Sequence, residues 1–442
     1  MDHTLPRLTV IGTGYLGATH AICMAVLGYE VLGVDVDPVK IERLGSGEVP
    51  FFEPGLPELL TKALDSGRLR FTTSYAEAAE FGDVHFVCVG TPQRPGSYAA
   101  DIQYVDAAVT ALSRHLHRRS LVVGKSTVPI GTAARLTELV HELAPAGDEV
   151  ELAWNPEFLR EGFAVDDTMK PDRLVFGVPS PWAERRLRAA FAPVLAQGIP
   201  VVVTDLATAE LVKVAANSFL ATKISYINAM AEVCEGTGAD VHDLAAALAY
   251  DDRIGGRFLK PGLGFGGGCL PKDIRAFMHR AEELGVGQAV SFLREVDDIN
   301  KRRRARTVDL IRALVGGDLT GVRVAALGAA FKPNSDDIRD APALDVASTL
   351  HHDGAVVRIF DPVAMPNAQR VHPELTYGQN ALDVARDADV VVLLTEWAEF
   401  REIDPAVMGR VVAHRRIVDG RHALDATQWR AAGWEYRALG RP

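Results

Sequence analysis

Leu8-Thr9-Val10-Ile11-Gly12-Thr13-Gly14-Tyr15-Leu16-Gly17 is the stretch that decides how this chain folds. The four residues before Gly12 form a short apolar strand. Residues 18–27 are small and apolar and read as a helix, and residues 30–34 are a second strand that ends at Asp35. A strand, three glycines at this spacing, a helix and an acid about 20 residues on make a βαβ dinucleotide turn. Gly12 permits the tight turn, Gly14 lets backbone approach a pyrophosphate, and Gly17 lets helix and strand pack closely. The helix start offers free N–H groups and a partial positive charge to phosphates. Asp35 can accept hydrogen bonds from both ribose hydroxyls and would repel a 2′-phosphate, so NAD is expected rather than NADP.

Outward from this turn the pattern continues. Strands are expected at 85–89, 121–124 and 151–153, with helical stretches between them, which implies a parallel sheet covered on both faces. From about Leu206 the text becomes helical. Residues 207–235 contain no Pro or Gly and read as one long helix, and further helices are expected over 241–249, 273–284 and 300–314. One Gly-rich segment, residues 261–269, interrupts them. Strands return at 322–327, 356–360 and 389–394. Strand-Asp361-Pro362 parallels the strand that runs into Asp35 and Asp37-Pro38, so the end of the chain resembles its beginning. The fold class expected is α/β, with two Rossmann-like parallel-sheet domains joined by a helical connector. The domains expected from this pattern are an NAD-binding domain at 1–205, a helical connector at 206–314, and a second Rossmann-like domain at 315–442. This last has Gly328 but no full glycine fingerprint, so its ligand is expected to bind in another manner.

Bulk composition narrows the function classes. With 442 residues, 48% hydrophobic and 24% charged, the chain is globular rather than disordered. A net charge of −11 argues against nucleic acid or an anionic membrane as a general partner. No apolar run approaches the roughly 18 residues of a membrane span. The opening residues lack a charged region followed by an apolar core, so no signal peptide is expected. Cys23, Cys88, Cys234 and Cys269 show no metal-binding spacing, so no metal is expected. Free thiols suit a reducing, cytoplasmic setting.

Four more stretches carry chemistry. Lys125-Ser126-Thr127-Val128-Pro129-Ile130-Gly131-Thr132 and Asn155-Pro156-Glu157-Phe158-Leu159-Arg160-Glu161-Gly162 each follow a strand. Lys213 and Asn217 lie one turn apart on the long helix and share a face. The apolar flanks of Lys213 keep that face from being fully wet, and a desolvated lysine beside an amide can hold an oxyanion. Gly266-Gly267-Gly268-Cys269 places a cysteine after a flexible loop. A helix starting there would lower the thiol pKa and turn Asp273 to the same side. The other three cysteines sit inside helix or strand patterns and read as inert.

Taken in order, GTGYLG, KSTVPIGT, NPEFLREG, Lys213 with Asn217, FLKPGLGFGGGCLPKD and GAAFKPNSDDIRDAP resemble the UDP-glucose/GDP-mannose dehydrogenase family, and its UDP-glucose 6-dehydrogenase branch best. The resemblance runs from about Leu8 to about Leu424. It implies two successive hydride transfers from one nucleotide-linked hexose, with two NAD⁺ and one water consumed. Cys269 would be the nucleophile. Lys213, or a water held by Asp273, would be the first base, and Lys213 with Asn217 would stabilise oxyanions. Glu161 would place or deprotonate the hydrolytic water, and Thr127 would orient water and substrate. Cofactor positions implied are Gly12, Gly14, Tyr15, Leu16, Gly17, Asp35, Lys40, Thr91, Thr127, Glu161, Lys272 and Arg339. Substrate positions implied are Glu157, Phe158, Leu159, Arg160, Glu161, Lys213, Asn217, Phe258, Leu259, Lys260, Pro261, Gly262, Gly266 and Lys332. Arg421 is a further substrate candidate. Arg253 matches a residue given across a dimer interface, so a homodimer or larger homo-oligomer is expected.

Two departures stand out. Residues 93–98 are unfamiliar, and Gly268 stands where Ser is common, which suggests a looser loop before Cys269. Three rival readings remain. One is the same chemistry on dTDP-glucose, GDP-mannose or a UDP-N-acetylhexosamine, another a two-electron hydroxyacid dehydrogenase, and the third a non-catalytic nucleotide-sugar binder.

Overall fold

The computed structural model describes residues 5–441. The chain divides into two compact units, Met1–Ala216 with Glu282–Leu284, and Asn217–Ala281 with Gly285–Pro442.

The first unit is built on eight strands among the described residues: β1 Leu8–Ile11, β2 Val31–Val34, β3 Leu69–Thr72, β4 Val84–Val87, β5 Ser120–Gly124, β6 Val150–Trp154, β7 Leu174–Gly177 and β8 Val201–Thr204. Their order is β3-β2-β1-β4-β5-β6-β7-β8. Alternation along each strand sends Leu8 and Val10 to one core and Ile11 to the other, so both faces are covered. Neighbours are parallel except β6 and β7, which meet antiparallel at Trp154 and Gly177. The expectation of a wholly parallel sheet is corrected at that one pairing. The chain builds outward from β1 to β3, then returns to lay β4 on the other side of β1. That reversal opens a crevice at the carboxyl ends of β1 and β4, where such sheets take their ligands.

The second unit carries six parallel strands among the described residues: β9 Arg323–Leu327, β10 Val356–Phe360, β11 Thr376–Tyr377, β12 Val390–Leu393, β13 Arg416–Asp419 and β14 Glu435–Arg437. The order β11-β10-β9-β12-β13-β14 repeats the reversal of the first sheet. The helix Leu206–Thr237 runs unbroken for 32 residues, as the absence of Pro and Gly from 207–235 predicts, and takes in Gly236 in its last turn. Val241–Ala249, Leu270–Glu283 and Phe292–Val315 complete the helical text. Leu270–Glu283 begins three residues earlier than its periodicity suggests. The Cys269 carbonyl accepts the first helical bond, from Asp273 N at 3.0 Å, and Pro271 is tolerated in a first turn.

Candidate active site

In the first unit, the loops that follow β1, β2, β4, β5 and β6 leave the sheet at their carboxyl ends. Gly12 holds φ +88°, and a Cβ there would strike Val89 of the loop after β4. A Cβ on Gly17 would lie 1.8 Å from the Gly12 carbonyl oxygen, so helix Tyr15–Val26 can approach β1 only with glycine there. Around Gly14 nothing stands within 4 Å of where a Cβ would be, which leaves room for a pyrophosphate. Leu16 is partly buried and packs against the core of the unit.

Asp35 is oriented before any ligand arrives. One carboxylate oxygen accepts Thr13 N at 2.8 Å and Lys40 Nζ at 2.9 Å, and the other accepts Asp37 N at 3.1 Å. Burial pushes this carboxyl up, but the Lys40 ammonium and the two backbone amides outweigh it and hold it below the usual range. Thr91 donates to the Thr127 carbonyl at 2.8 Å, and Ser126 donates to the Val89 carbonyl at 2.6 Å, which ties the β4 and β5 loops together. Open space at Gly14, glycine at the close approach and a fixed acid after β2 are the features a bound NAD needs.

Lys125, directly after β5, is buried, and its ammonium lies 3.0 Å from Asn155 Oδ1 and 2.9 Å from Glu157 Oε2, both in the segment that follows β6. The other Glu157 oxygen accepts Phe158 N and Leu159 N at 2.7 and 3.0 Å. Burial raises the Glu157 carboxyl, but Lys125, the Phe158 amide and Lys213 together bring it below its ordinary value. The Phe158 ring lies 4.0 Å from the Arg173 guanidinium and 5.4 Å from Lys213 Nζ. Arg160 forks onto Asp167 at 2.7 and 2.9 Å. Glu161 is buried next in line. The sequence by itself gives Lys125 no role, and its signal is a lysine directly after the buried strand Ser120–Gly124.

In the second unit, Cys269 is exposed and directly precedes helix Leu270–Glu283. Asp273 is buried behind it. Its oxygens are taken by Asn217 Nδ2 at 2.6 Å and Lys272 Nζ at 2.5 Å, which joins three expected site residues in one cluster. The loop before Cys269 is clamped rather than loose. Gly267 N donates to the Arg339 carbonyl at 2.9 Å, and Asp337 accepts Gly268 N at 3.3 Å while pairing with Arg339 at 2.6 Å. A Cβ on Gly268 would lie 2.2 Å from the Arg339 guanidinium carbon, so glycine there gives a tighter loop, contrary to expectation. One on Gly266 would meet the Asp340 carbonyl at 2.3 Å.

Phe258 is exposed with φ +61°, a conformation that costs about 1–3 kcal/mol for a non-glycine residue. Leu259 and Pro261 are buried, Lys260 is exposed, and Gly262 N donates to Asn228 Oδ1 at 2.9 Å. Lys332 Nζ lies 5.3 Å from the Phe331 ring. Arg253 is nearly fully exposed beside Asp251. Arg421 spends its guanidinium on the carbonyls of Gly264, Phe331 and Leu394 at 3.1, 3.0 and 2.6 Å, which makes it a brace of the glycine loop. Asp361, the counterpart of Asp35, accepts from the amides of Ala329, Ala330, Val363 and Ala364 and from Trp397 Nε1. With its oxygens so occupied it has little left for a ribose, in line with a different ligand mode in this half. No group of three or more His, Cys, Asp or Glu placed to hold a metal occurs among the described residues.

Comparison with known proteins matches these two units to one family along nearly their whole length. Models of the UDP-glucose/GDP-mannose dehydrogenase family match as its NAD binding domain over residues 6–195, its central domain over 207–302 and its UDP binding domain over 325–426. A UDP-glucose 6-dehydrogenase of Rhizobium meliloti is 40% identical, covering 99% of this chain and 100% of its own length. The solved structure of a UDP-glucose dehydrogenase from Pyrobaculum islandicum superposes with a TM-score of 0.92 at 37% identity, covering 100% of this chain and 99% of its own. A UDP-D-ManNAc dehydrogenase from Pyrococcus horikoshii, at 26% identity and a TM-score of 0.86, covers 98% of this chain and 99% of its own. With three family domains in sequence order, the chain belongs to the UDP-glucose/GDP-mannose dehydrogenase family.

Proposed function

We propose that this protein is an NAD-dependent UDP-glucose 6-dehydrogenase, oxidising the C6 hydroxyl to the carboxylate of UDP-glucuronate. The observation that carries the covalent route is Cys269, exposed at the positive end of a helix, with the Asp273–Asn217 pair buried directly behind it.

When bound against Gly12, Gly14, Gly17 and Asp35, NAD⁺ supplies the hydride acceptor. The protein's residues handle protons and oxyanions. Lys213, or a water held by Asp273, takes the hydroxyl proton as C6 gives up its first hydride. The Cys269 thiolate adds to the resulting aldehyde carbon, and the new oxyanion is held by Lys213 and Asn217 before it is protonated. This thiohemiacetal keeps the aldehyde bound and is itself an alcohol, so a second hydride and proton leave it as a thioester. Water placed by Thr127 and deprotonated by Glu161 adds to that carbonyl, the C–S bond breaks and the thiolate departs. One alcohol and one water thus yield a carboxylate, two hydrides and three protons.

Glu157, Phe158, Leu159, Arg160, Phe258, Lys260, Gly262, Gly266 and Lys332 are assigned to the nucleotide-sugar, and Lys40, Thr91, Lys272 and Arg339 to the cofactor. The division into an NAD domain at 1–205, a helical connector at 206–314 and a nucleotide-sugar domain at 315–442 follows the same reading. The protein acts as a dimer. Phe219, Tyr226 and Val233 recur at seven-residue steps on helix Leu206–Thr237, each about half exposed or more, which is an apolar stripe suited to a second copy. A cytoplasmic setting is part of the same reading, since four cysteines that form no disulfide suit a reducing compartment.

The test is to count NADH formed per limiting UDP-glucose, beside a Cys269→Ala sample. Two NADH per sugar, largely lost in the variant, is expected. One NADH with the variant unaffected would sink the covalent route. No NADH would move the substrate to dTDP-glucose, GDP-mannose or an N-acetylated UDP-hexose.

A further inference from the structure

Glu53 sits in Phe51-Phe52-Glu53-Pro54-Gly55, outside every segment assigned above, yet its side chain is 3% exposed. A buried carboxylate is costly unless its oxygens are filled. These are filled by three donors from two distant places. One oxygen accepts the Tyr15 hydroxyl and Gly162 N, the latter at 2.6 Å, and the other accepts Ala164 N at 2.7 Å. Gly162 N also lies 3.0 Å from the Tyr15 oxygen, so the three groups form a closed knot. The Tyr15 ring rests on Phe51 at 4.8 Å.

Each donor has a local reason to need Glu53. Helix Ala164–Met169 has Phe163 at its cap position and no side-chain cap of its own, so the Ala164 amide would be an orphan. Gly162 turns the chain with φ +78° immediately after Glu161, and its amide points back toward Tyr15. Tyr15 begins the helix of the dinucleotide turn. Burial, then Glu53, drive its phenol well above the ordinary range, and Glu161 adds a smaller push in the same direction, which places Glu161 within electrostatic reach.

We propose that Glu53 is a positioning residue. Its carboxylate ties the dinucleotide turn, through Tyr15, to the Gly162–Ala164 backbone and thereby fixes Glu161 as the base of thioester hydrolysis. The proposal rests on the role assigned to Glu161 above. In that step water oxygen bonds to the acyl carbon, Glu161 takes the water proton, the carbon–sulfur bond breaks and Cys269 leaves as thiolate. Oxidation itself does not need this base, so loosening the knot retards hydrolysis selectively.

Wild type, Glu53→Gln and Tyr15→Phe are mixed rapidly with saturating UDP-glucose and NAD⁺. Gln sets an NH₂ against an amide donor and leaves one N–H unpaired, whereas Phe removes a single hydroxyl and guards against misfolding of the first variant. The NADH burst and the steady rate are recorded, and acid-quenched protein is weighed for acyl groups on Cys269. The expected result is a retained burst with a steady rate down roughly tenfold in Glu53→Gln, a smaller fall in steady rate in Tyr15→Phe, and accumulated acyl-enzyme in both. Burst and steady rate falling together, with no acyl-enzyme, would mark a merely structural residue and overturn the proposal. A wild type that makes no NADH from UDP-glucose would overturn the substrate reading instead. Amide exchange at Gly162 and Ala164 then decides the knot, since faster exchange in Tyr15→Phe supports it and unchanged exchange refutes it.

Discussion

At the scale of single residues, Lys125 with Glu157 is a buried electrostatic commitment. The ammonium is almost fully buried and its charge partner is 2.9 Å away. Removing one member of such a pair leaves an uncompensated charge, which is far more damaging than the pair is stabilising. Glu157→Gln is therefore expected to cost about 3 kcal/mol in denaturant unfolding. The same pair sets an acid dependence. The folded Glu157 pKa lies below its unfolded value, so its contribution is complete above the ordinary glutamate range, near about 4.3, and is lost as pH falls through the folded pKa. Stability measured from pH 6 downward should fall less steeply in Glu157→Gln than in wild type. An equal slope would show that Glu157 does not titrate as described.

At the scale of elements, two glycines that look alike in sequence differ in what they exclude. Gly17 faces the backbone oxygen of Gly12 at 1.8 Å from a would-be Cβ, and neither side can yield without parting helix from strand. Gly17→Ala should cost roughly 3 kcal/mol and most of the NAD affinity, read by thermal melts and NAD⁺ titration. Gly268 faces the end of the Arg339 side chain, which can swing away. Gly268→Ala should change stability by less than about 1 kcal/mol while raising the KM for NAD⁺, because Arg339 is displaced from Asp337. A large loss of stability in Gly268→Ala would show that Arg339 is locked in place.

At the scale of the molecule, the apolar stripe of helix Leu206–Thr237, formed by Phe219, Tyr226 and Val233, stands open to water in a lone copy. On the dimer proposed above, Phe219→Glu with Tyr226→Glu should leave a sedimenting monomer at micromolar concentration where wild type sediments as a dimer. The paired charges would be buried without partners in the dimer, and each costs several kcal/mol. A variant that still sediments as a dimer would move the interface to another face. No helix among the described residues is long and apolar enough to cross a membrane.

Sequence alone determined the features that local pattern encodes. The glycine spacing and Asp35 announced the dinucleotide turn, the run without Pro or Gly announced the long helix, and the Gly-rich approach announced Cys269. Short or half-polar strands escaped it. Leu69–Thr72 alternates but over four residues only, Thr376–Tyr377 and Glu435–Arg437 are briefer still, and Leu174–Gly177, Val201–Thr204 and Arg416–Asp419 are short runs whose period does not separate strand from helix. The direction of β7 against β6 escaped as well, because strand polarity depends on how the connection crosses the sheet rather than on the strand's own residues. Tertiary structure alone decided the partners: Lys125 with Glu157, Asp273 with Asn217, Arg339 against Gly268, and Glu53 with Tyr15 and Gly162. Glu53 and Gly162 lie 109 residues apart. No local period links such positions, and only packing of the finished sheet and its loops brings a buried carboxylate to the amides that need it.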